Sequence, residues 1–291
     1  MRNQAAEIRT RLRVGTPVVM PGVYDALSAR LAVGAGFEVI FISGYSVSAT
    51  QLAEPDFGLL TQTEIVAAAE RVCRAVDVPV IVDADTGYGN AVNVIRTVEA
   101  LRHAGAAGVF LEDQVWPKRC GHMRGKRVIP VGEQVQKLRA AAWARGDGDC
   151  FIVARTDARQ VEGLDAAIAR ARAFHAAGAD ALFVEAPQSV DELREIGRQL
   201  PPPLVANMVE EGVTPQLPAD ELAALGFHMI VCPLAGLFAA AQALDEVFRI
   251  MRRDGTTAAA RARMLAFEAM NAVLGLDHKY ALDAAFCTDD D

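Results

Sequence analysis

Residues 118–122 read Lys-Arg-Cys-Gly-His, a few positions after Leu111-Glu112-Asp113-Gln114. One thiol, Cys120, stands among four potential cations: Lys118, Arg119, His122 and Arg124. Cationic neighbours stabilise a thiolate, so the expectation is a lowered Cys120 pKa. The same cations bind carboxylates. A basic segment with a glycine hinge and a central thiol suits acid–base work on a small anionic substrate, with Cys120, Lys118 and His122 as the candidate catalytic groups. Two other readings compete. A Lys/Arg run can bind nucleic acid, but a whole-chain charge of −8 argues against that footprint. A Cys near a His can ligate zinc, but Cys73, Cys150, Cys232 and Cys287 supply no paired spacing.

The elements that must position this segment repeat along the chain. An amphipathic helical stretch, a Gly-containing turn and a short apolar strand recur. The turns are Gly34-Ala35-Gly36, Gly105-Ala106-Ala107-Gly108, Gly178-Ala179-Asp180 and Gly226, and Gly is the residue expected just past a helix end. The strands that follow them are predicted over 37–42, 109–111, 181–184 and 227–231. Four more lie at 17–20, 79–82, 151–154 and 204–206. Eight alternating strands and helices imply right-handed crossovers and a closed (β/α)8 barrel. An open doubly wound sheet is the runner-up. It needs a Gly-rich phosphate turn after the first strand, which Pro21-Gly22-Val23-Tyr24 does not provide. The stretch from Gly255 to about Asn271 reads as helical, the pattern weakens beyond Gly275, and the chain is expected to fray past His278 into the acidic end Asp289-Asp290-Asp291.

With 291 residues, the chain fits one barrel domain, 1–291, with a C-terminal helical extension, since such barrels take about 250 residues. Hydrophobic residues make up 52% and aromatic residues only 6%, as suits Ala/Val/Leu-rich helices on a buried parallel sheet. Five cysteines without a dense framework point to a reducing compartment. Met1–Thr10 has no apolar signal core, and no apolar run is long enough to span a membrane. A cytoplasmic protein is expected.

In such barrels the site lies at the C-terminal strand ends. Those ends carry Ser43-Gly44-Tyr45, Asp83-Ala84-Asp85, Glu112-Asp113-Gln114, Arg155-Thr156-Asp157, Glu185 and Asn207. Asp83 and Asp85 alternate, so both can face the mouth beside Glu112. An oxygen-rich set without paired His or Cys favours Mg²⁺, with Mn²⁺ as the alternative. For Asp157 and Thr86 a helix cap or turn is at least as good a reading.

These residues resemble the isocitrate lyase/phosphoenolpyruvate mutase superfamily, especially its 2-alkylmalate (dimethylmalate) lyase and petal death protein branch. Beyond Lys118–His122, the likeness runs through Pro21-Gly22-Val23-Tyr24-Asp25-Ala26, Ser43–Ser48 and Pro55-Asp56-Phe57-Gly58. It continues in Asp83–Gly89, Glu112–Gln114, Val153–Ala158, Val184-Glu185-Ala186-Pro187 and Asn207-Met208. The resemblance implies a (β/α)8 barrel whose eighth helix is swapped onto a neighbouring subunit, in dimers or tetramers. It implies Mg²⁺ around Asp83 and Asp85, with Asp56 and Glu112 holding its waters. It makes 118–131 a mobile gate and Cys120 the acid that protonates a carbanion.

Departures within the superfamily narrow the expected activity. Phosphonate-forming mutases carry Asn-Ser-type residues where this chain has Cys120-Gly121. Methylisocitrate lyases carry an Arg shortly after the eighth strand, where Phe238 stands here. The expectation is a metal-dependent carbon–carbon lyase for a 2-hydroxy dicarboxylate of 2-alkylmalate type. Ser43, Gly44, Tyr45, Arg155, Glu185 and Asn207 would bind substrate, and Tyr45, Glu112 or a metal-bound water would be the base. The alternative on the same site is oxaloacetate hydrolysis or decarboxylation. A phosphonate-forming mutase and a non-catalytic carboxylate-binding barrel rank lower, since a mere binder needs no acid thiol.

Overall fold

The computed structural model describes residues 4–146 and 150–287. Two compact units divide the chain, Met1–Gly236 and Leu237–Asp291. In the first, eight parallel strands close into a barrel in sequence order. They are β1 (Val18–Val23), β2 (Ile40–Ile42), β3 (Val80–Asp83), β4 (Gly108–Glu112), β5 (Phe151–Thr156), β6 (Ala181–Val184), β7 (Leu204–Asn207) and β8 (Met229–Cys232). The ring closes by pairing β1 with β8, Val18 opposite Met229.

Side chains alternate in and out along a strand, and this alternation builds the site. The inward residues form one buried cluster with Met20, Phe41, Ile81, Phe110, Val153, Phe183, Val205 and Val231. Two positions further along each strand direction stand Gly22, Ser43, Asp83, Glu112, Arg155, Glu185, Asn207 and Pro233. The column that is apolar inside the barrel therefore turns polar at its C-terminal mouth. Gly22 is required at the top of β1, because a Cβ there would lie 2.0 Å from the Pro233 carbonyl oxygen.

The strands run to slightly different bounds than expected. β1 starts one residue later and continues to Val23, and β8 begins at Met229 rather than Phe227. Asp83, Glu112 and Asn207 are the last residues of their strands, so ladder pairing fixes their backbones; Glu112 sits in register with Arg155. The N-terminal helix Gln4–Arg13 was not foreseen. It buries Ala5 and Ile8 against the inward cluster at the opposite end from the mouth.

The second unit continues the helix Ala235–Asp254 and adds a 3-10 turn, Ala258–Arg263, and helices Phe267–Leu274 and Leu276–Phe286. The expected fraying past His278 is a correction: Leu276–Phe286 is helical, stopping at Cys287. The acidic end Asp289–Asp291 lies outside the described residues. None of Ala235–Asp254 is buried, and Leu244, Phe248, Phe267 and Phe286 stand well exposed. Among the described residues no helix is long and apolar enough to cross a membrane.

Candidate active site

The cavity at the barrel mouth is lined by Ser43, Tyr45, Asp56, Asp83, Cys120, His122, Arg155, Glu185 and Asn207, with Phe183, Val209, Val231, Pro233 and Leu234 as its apolar wall. Nine predicted site residues thus meet at one place. Four others stand behind the lining: Gly44, Asp85, Glu112 and Lys118.

Each lining group is held by local sequence. Ser43 caps helix Gly44–Leu52, its hydroxyl accepting from the Ser46 N–H at 3.3 Å. The first-turn N–H groups of Gly44 and Tyr45 thus mark the positive end of a helix, a ready anion site. Gly44 also lets the acids approach: its Cβ position lies 3.0 Å from Asp83 Oδ2 and 3.3 Å from Asp85 Oδ1. Asp85 adopts a left-handed φ of 48°, and its N–H donates to Asp83 Oδ1 at 3.1 Å. Tyr88 donates to Asp85 Oδ2 at 3.2 Å.

Lys118 corrects one expectation. Its ammonium is 2.7 Å from Asp56 Oδ1 and 2.6 Å from Asp85 Oδ1, and the side chain is buried. Burial lowers its pKa, but Asp56, Asp85 and Glu112 outweigh that and raise it well above the usual lysine range. Lys118 is thus placed to hold the Asp56 and Asp85 carboxylates together. Arg155 does the same on the other side. Its guanidinium forks onto Asp157 at 2.9 and 3.0 Å and reaches Glu112 and Glu185 at 3.4 Å, over the face of Phe183.

Asp157 is therefore no helix cap: no cap hydrogen bond forms, and it takes Arg155 and Lys126 instead. Lys126, overlooked in the sequence, is buried, 2.8 Å from Asp157 Oδ1 and bonded to the Gly121 carbonyl. Its only sequence signal was a lysine inside the expected gate with no acid nearby in the chain. Thr86 is buried but lines a separate, outer cavity. Glu185 is the hub of the far wall, contacted by Asn207 at 3.2 Å and by His122 Nε2 at 3.1 Å, the latter off the ideal hydrogen-bond direction. The Val213 N–H donates to His122 Nδ1 at 2.9 Å, which places the neutral ring's proton on Nε2. Burial opposes the charge on Glu185, but Arg155 and His122 prevail and bring its carboxyl down to about 2.

The segment 118–130, without helix or regular strand, covers the mouth. Cys120 N–H donates to the Asp56 carbonyl at 3.1 Å, tying it down. Gly121 is the point of closest approach: a Cβ there would lie 2.5 Å from Arg155 Nη2 and from Glu185. The space beneath it that is open to the centre of a water-sized sphere is about 40 Å³. That is room for a few water centres.

The expected thiolate is also corrected. Burial first, then Asp56, push the Cys120 thiol up to about 11, although the His122 N–H and Lys118 pull it down. The cations that surround it in sequence point elsewhere: Lys118 to acids, Arg119 over the Phe57 ring and to the Arg124 carbonyl. These surroundings favour the neutral thiol over the thiolate at neutral pH.

Donor chemistry decides whether a metal fits. Among the described residues no three His, Cys, Asp or Glu side chains converge tightly enough to hold an ion by themselves. Yet both Glu112 oxygens are buried without a hydrogen-bond partner. Burial raises the pKa of Glu112 well above normal and that of Asp85 to about 7. Six carboxylates (Asp56, Asp83, Asp85, Glu112, Asp157 and Glu185) face three permanent cations, Lys118, Lys126 and Arg155. Uncompensated hard oxygens suit a divalent cation held by one or two carboxylates and, through water, by the others, the usual mode for Mg²⁺. The residues fit the group.

The family described as phosphoenolpyruvate phosphomutase matches residues 8–252. The chain belongs to this family. It is 50% identical to the chloroplastic carboxyvinyl-carboxyphosphonate phosphorylmutase of Arabidopsis thaliana, covering 98% of this chain and 86% of that protein. It is 43% identical to the 2,3-dimethylmalate lyase of Eubacterium barkeri, over 96% and 99%. The 2-methylisocitrate lyase of Bacillus subtilis is also 43% identical, over 85% and 82%. Among solved structures, an oxaloacetate acetylhydrolase bound to 3,3-difluorooxalacetate superposes with a TM-score of 0.93 at 32% identity, over 99% of each chain.

Proposed function

We propose that the chain is a divalent-metal-dependent carbon–carbon lyase that cleaves a 2-alkylmalate to a 2-oxo acid and a carboxylate. The observation that carries this reading is a half-buried thiol, Cys120, lining the same cavity as Arg155 and the helix end at Ser43 and held in its protonated form by its surroundings. A lyase must protonate a carbanion at that place, and a phosphoryl shift needs no such acid. Among the described lining residues Arg155 is the one permanent cation. It and the helix end anchor two carboxylates, and Val209, Val231, Pro233 and Leu234 suit an alkyl substituent rather than a third carboxylate.

Asp83 and Asp85 would hold Mg²⁺ or Mn²⁺, with Asp56 and Glu112 around it. When bound, the ion would supply Lewis-acid chemistry to the 2-oxo acid part of the substrate. Arg155 orients one carboxylate, and Glu185, braced by Asn207 and His122, fixes Arg155 in turn. Loss of the hydroxyl proton drives C2–C3 cleavage, and Cys120 delivers its proton to the carbanion. The closed segment excludes competing water.

Two residues divide the requirements of the base. Tyr45 faces the cavity, but burial first, then Cys120 and Asp56, raise its pKa and keep the phenol neutral. Burial makes Glu112 basic, but it stands behind the lining. Tyr45→Phe and Glu112→Gln separate them. We expect the base variant to lose about 10²–10⁴-fold in kcat with metal affinity unchanged, and a metal-water ligand to lose metal affinity instead.

A substrate panel with Mg²⁺, following 2-oxo acid release from alkylmalates and loss of oxaloacetate, tests the assignment. Alkylmalate cleavage supports it; turnover of oxaloacetate alone makes the protein a hydrolase or decarboxylase, and turnover of neither leaves a carboxylate-binding barrel or a mutase.

The enzyme works as a cytoplasmic homo-oligomer, a dimer or tetramer. Helix Ala235–Asp254 buries no residue although Leu244, Phe248 and Met251 lie along it, and a helix with an uncovered apolar stripe needs a partner surface. Light scattering at micromolar concentration should give at least a dimer mass; a monomer would refute this.

A further inference from the structure

We propose that Lys126 is a positioning residue that sets the Cys120 thiol and the Arg155 guanidinium relative to each other when the 118–130 segment closes. The inference rests on Cys120 being the acid of the reaction above, and on one peptide unit and one carboxylate. The peptide between Gly121 and His122 is held at both ends. Its carbonyl accepts from the Lys126 ammonium, and its N–H donates to the Cys120 sulfur. In a trans peptide the C=O and N–H point in opposite directions within one rigid plane. Anchoring the carbonyl therefore aims the N–H, and the N–H places the thiol.

The same ammonium reaches Asp157 Oδ1 at 2.8 Å. Asp157 Oδ1 also accepts from Arg155 Nη2 at 3.0 Å, and its Oδ2 accepts from Arg155 Nε at 2.9 Å. Asp157 is itself fixed, its N–H donating to Asp113 Oδ1 at 2.9 Å. Lys126 thus pins the moving segment to the end of β5 through the carboxylate that orients Arg155. Lys126 does not line the cavity, so it acts through Gly121 and Asp157 rather than on substrate. Both ends of this buried pair have side chains at 0% exposure. Water competes poorly there, and a buried pair of this kind resists opening.

The alignment of acid and anchor is then a consequence of closure rather than a property of the open enzyme. A thiol set free to rotate would be misplaced by about an ångström, and misplacement of that size can cost ~10²-fold.

Lys126→Met and Lys126→Arg test this. The segment contains Arg119, Arg124 and Arg127 as trypsin sites. Limited trypsin digestion of the full-length protein, with cuts located by mass spectrometry, reads closure without any substrate. In Lys126→Met we expect cutting at Arg119 and Arg124 to rise at least tenfold, and kcat on the alkylmalate to fall ~10²-fold with a smaller change in KM. Lys126→Arg, which keeps charge and donors, should restore protection and part of kcat. If Lys126→Met is too unstable to purify, Lys126→Gln carries the same readings. Cutting as slow as in the wild type, or kcat within twofold of it, overturns the proposal. A wild type that cleaves no alkylmalate would sink the lyase reading, and the trypsin comparison would still decide whether Lys126 latches the segment.

Discussion

Stripping divalent metal from the protein abolishes alkylmalate cleavage, and adding Mg²⁺ or Mn²⁺ restores it. The expectation follows from charge. Asp56 and Asp85 share the one ammonium of Lys118, Glu112 has only a 3.4 Å approach from Arg155, and Asp83 has no cation of its own among the ion pairs of the described residues. Burying charge without full compensation is costly, and burial accordingly drives Asp85 and Glu112 towards their protonated forms. A bound dication reverses that pressure, because an opposite charge favours the carboxylate. Metal binding should therefore release protons and raise the melting temperature as well as activity, by mass action on the folded state. Dialysis against EDTA, followed by back-titration with Mg²⁺ under both assays, checks the two effects separately. Full turnover in a metal-free sample would show that the carboxylates serve only Lys118 and Arg155.

Much of this site could be read from the chain because strand periodicity does the placing. Once six of the eight short apolar runs end in Ser43, Asp83, Glu112, Arg155, Glu185 and Asn207, alternation alone brings those residues to one mouth. What could not be read depends on contacts between residues far apart in sequence. Asp157 precedes a helix, where an Asp most often caps; its partner Lys126 is 31 residues away. The Cys120 environment was misjudged for the converse reason. Lys118 and Arg119 are its neighbours in the chain, but they are taken up by Asp56, Asp85, the Phe57 ring and the Arg124 carbonyl. The N-terminal helix Gln4–Arg13 gave little pattern, because only Ala5 and Ile8 of its ten residues are buried. The helix Leu276–Phe286 buries nothing at all, so no apolar stripe facing a core marked it.

Cys120→Ser lowers alkylmalate cleavage by about 10²–10⁴-fold, the usual contribution of a general acid. The substitution keeps size and shape but replaces the thiol with a far weaker acid. Fold and metal binding should be unchanged, because the backbone bonds of Cys120, to the Asp56 carbonyl and from the Met123 N–H, do not involve the side chain, and a Ser hydroxyl can still accept from the His122 N–H. The pH profile distinguishes this role from a nucleophilic one. An acid is competent while protonated, so its contribution is lost as pH rises through its pKa. An unperturbed cysteine would lose competence near about 8.5, whereas burial and Asp56 hold Cys120 at about 11. The rate should therefore show no descending limb from Cys120 between about pH 7 and 9, and a thiolate nucleophile would show a rising one. Oxaloacetate turnover, if present, should survive the substitution better wherever water can supply the proton. Alkylmalate cleavage left intact in Cys120→Ser would assign the acid to another residue, and the half-buried thiol in the cavity wall would then be a matter of packing alone.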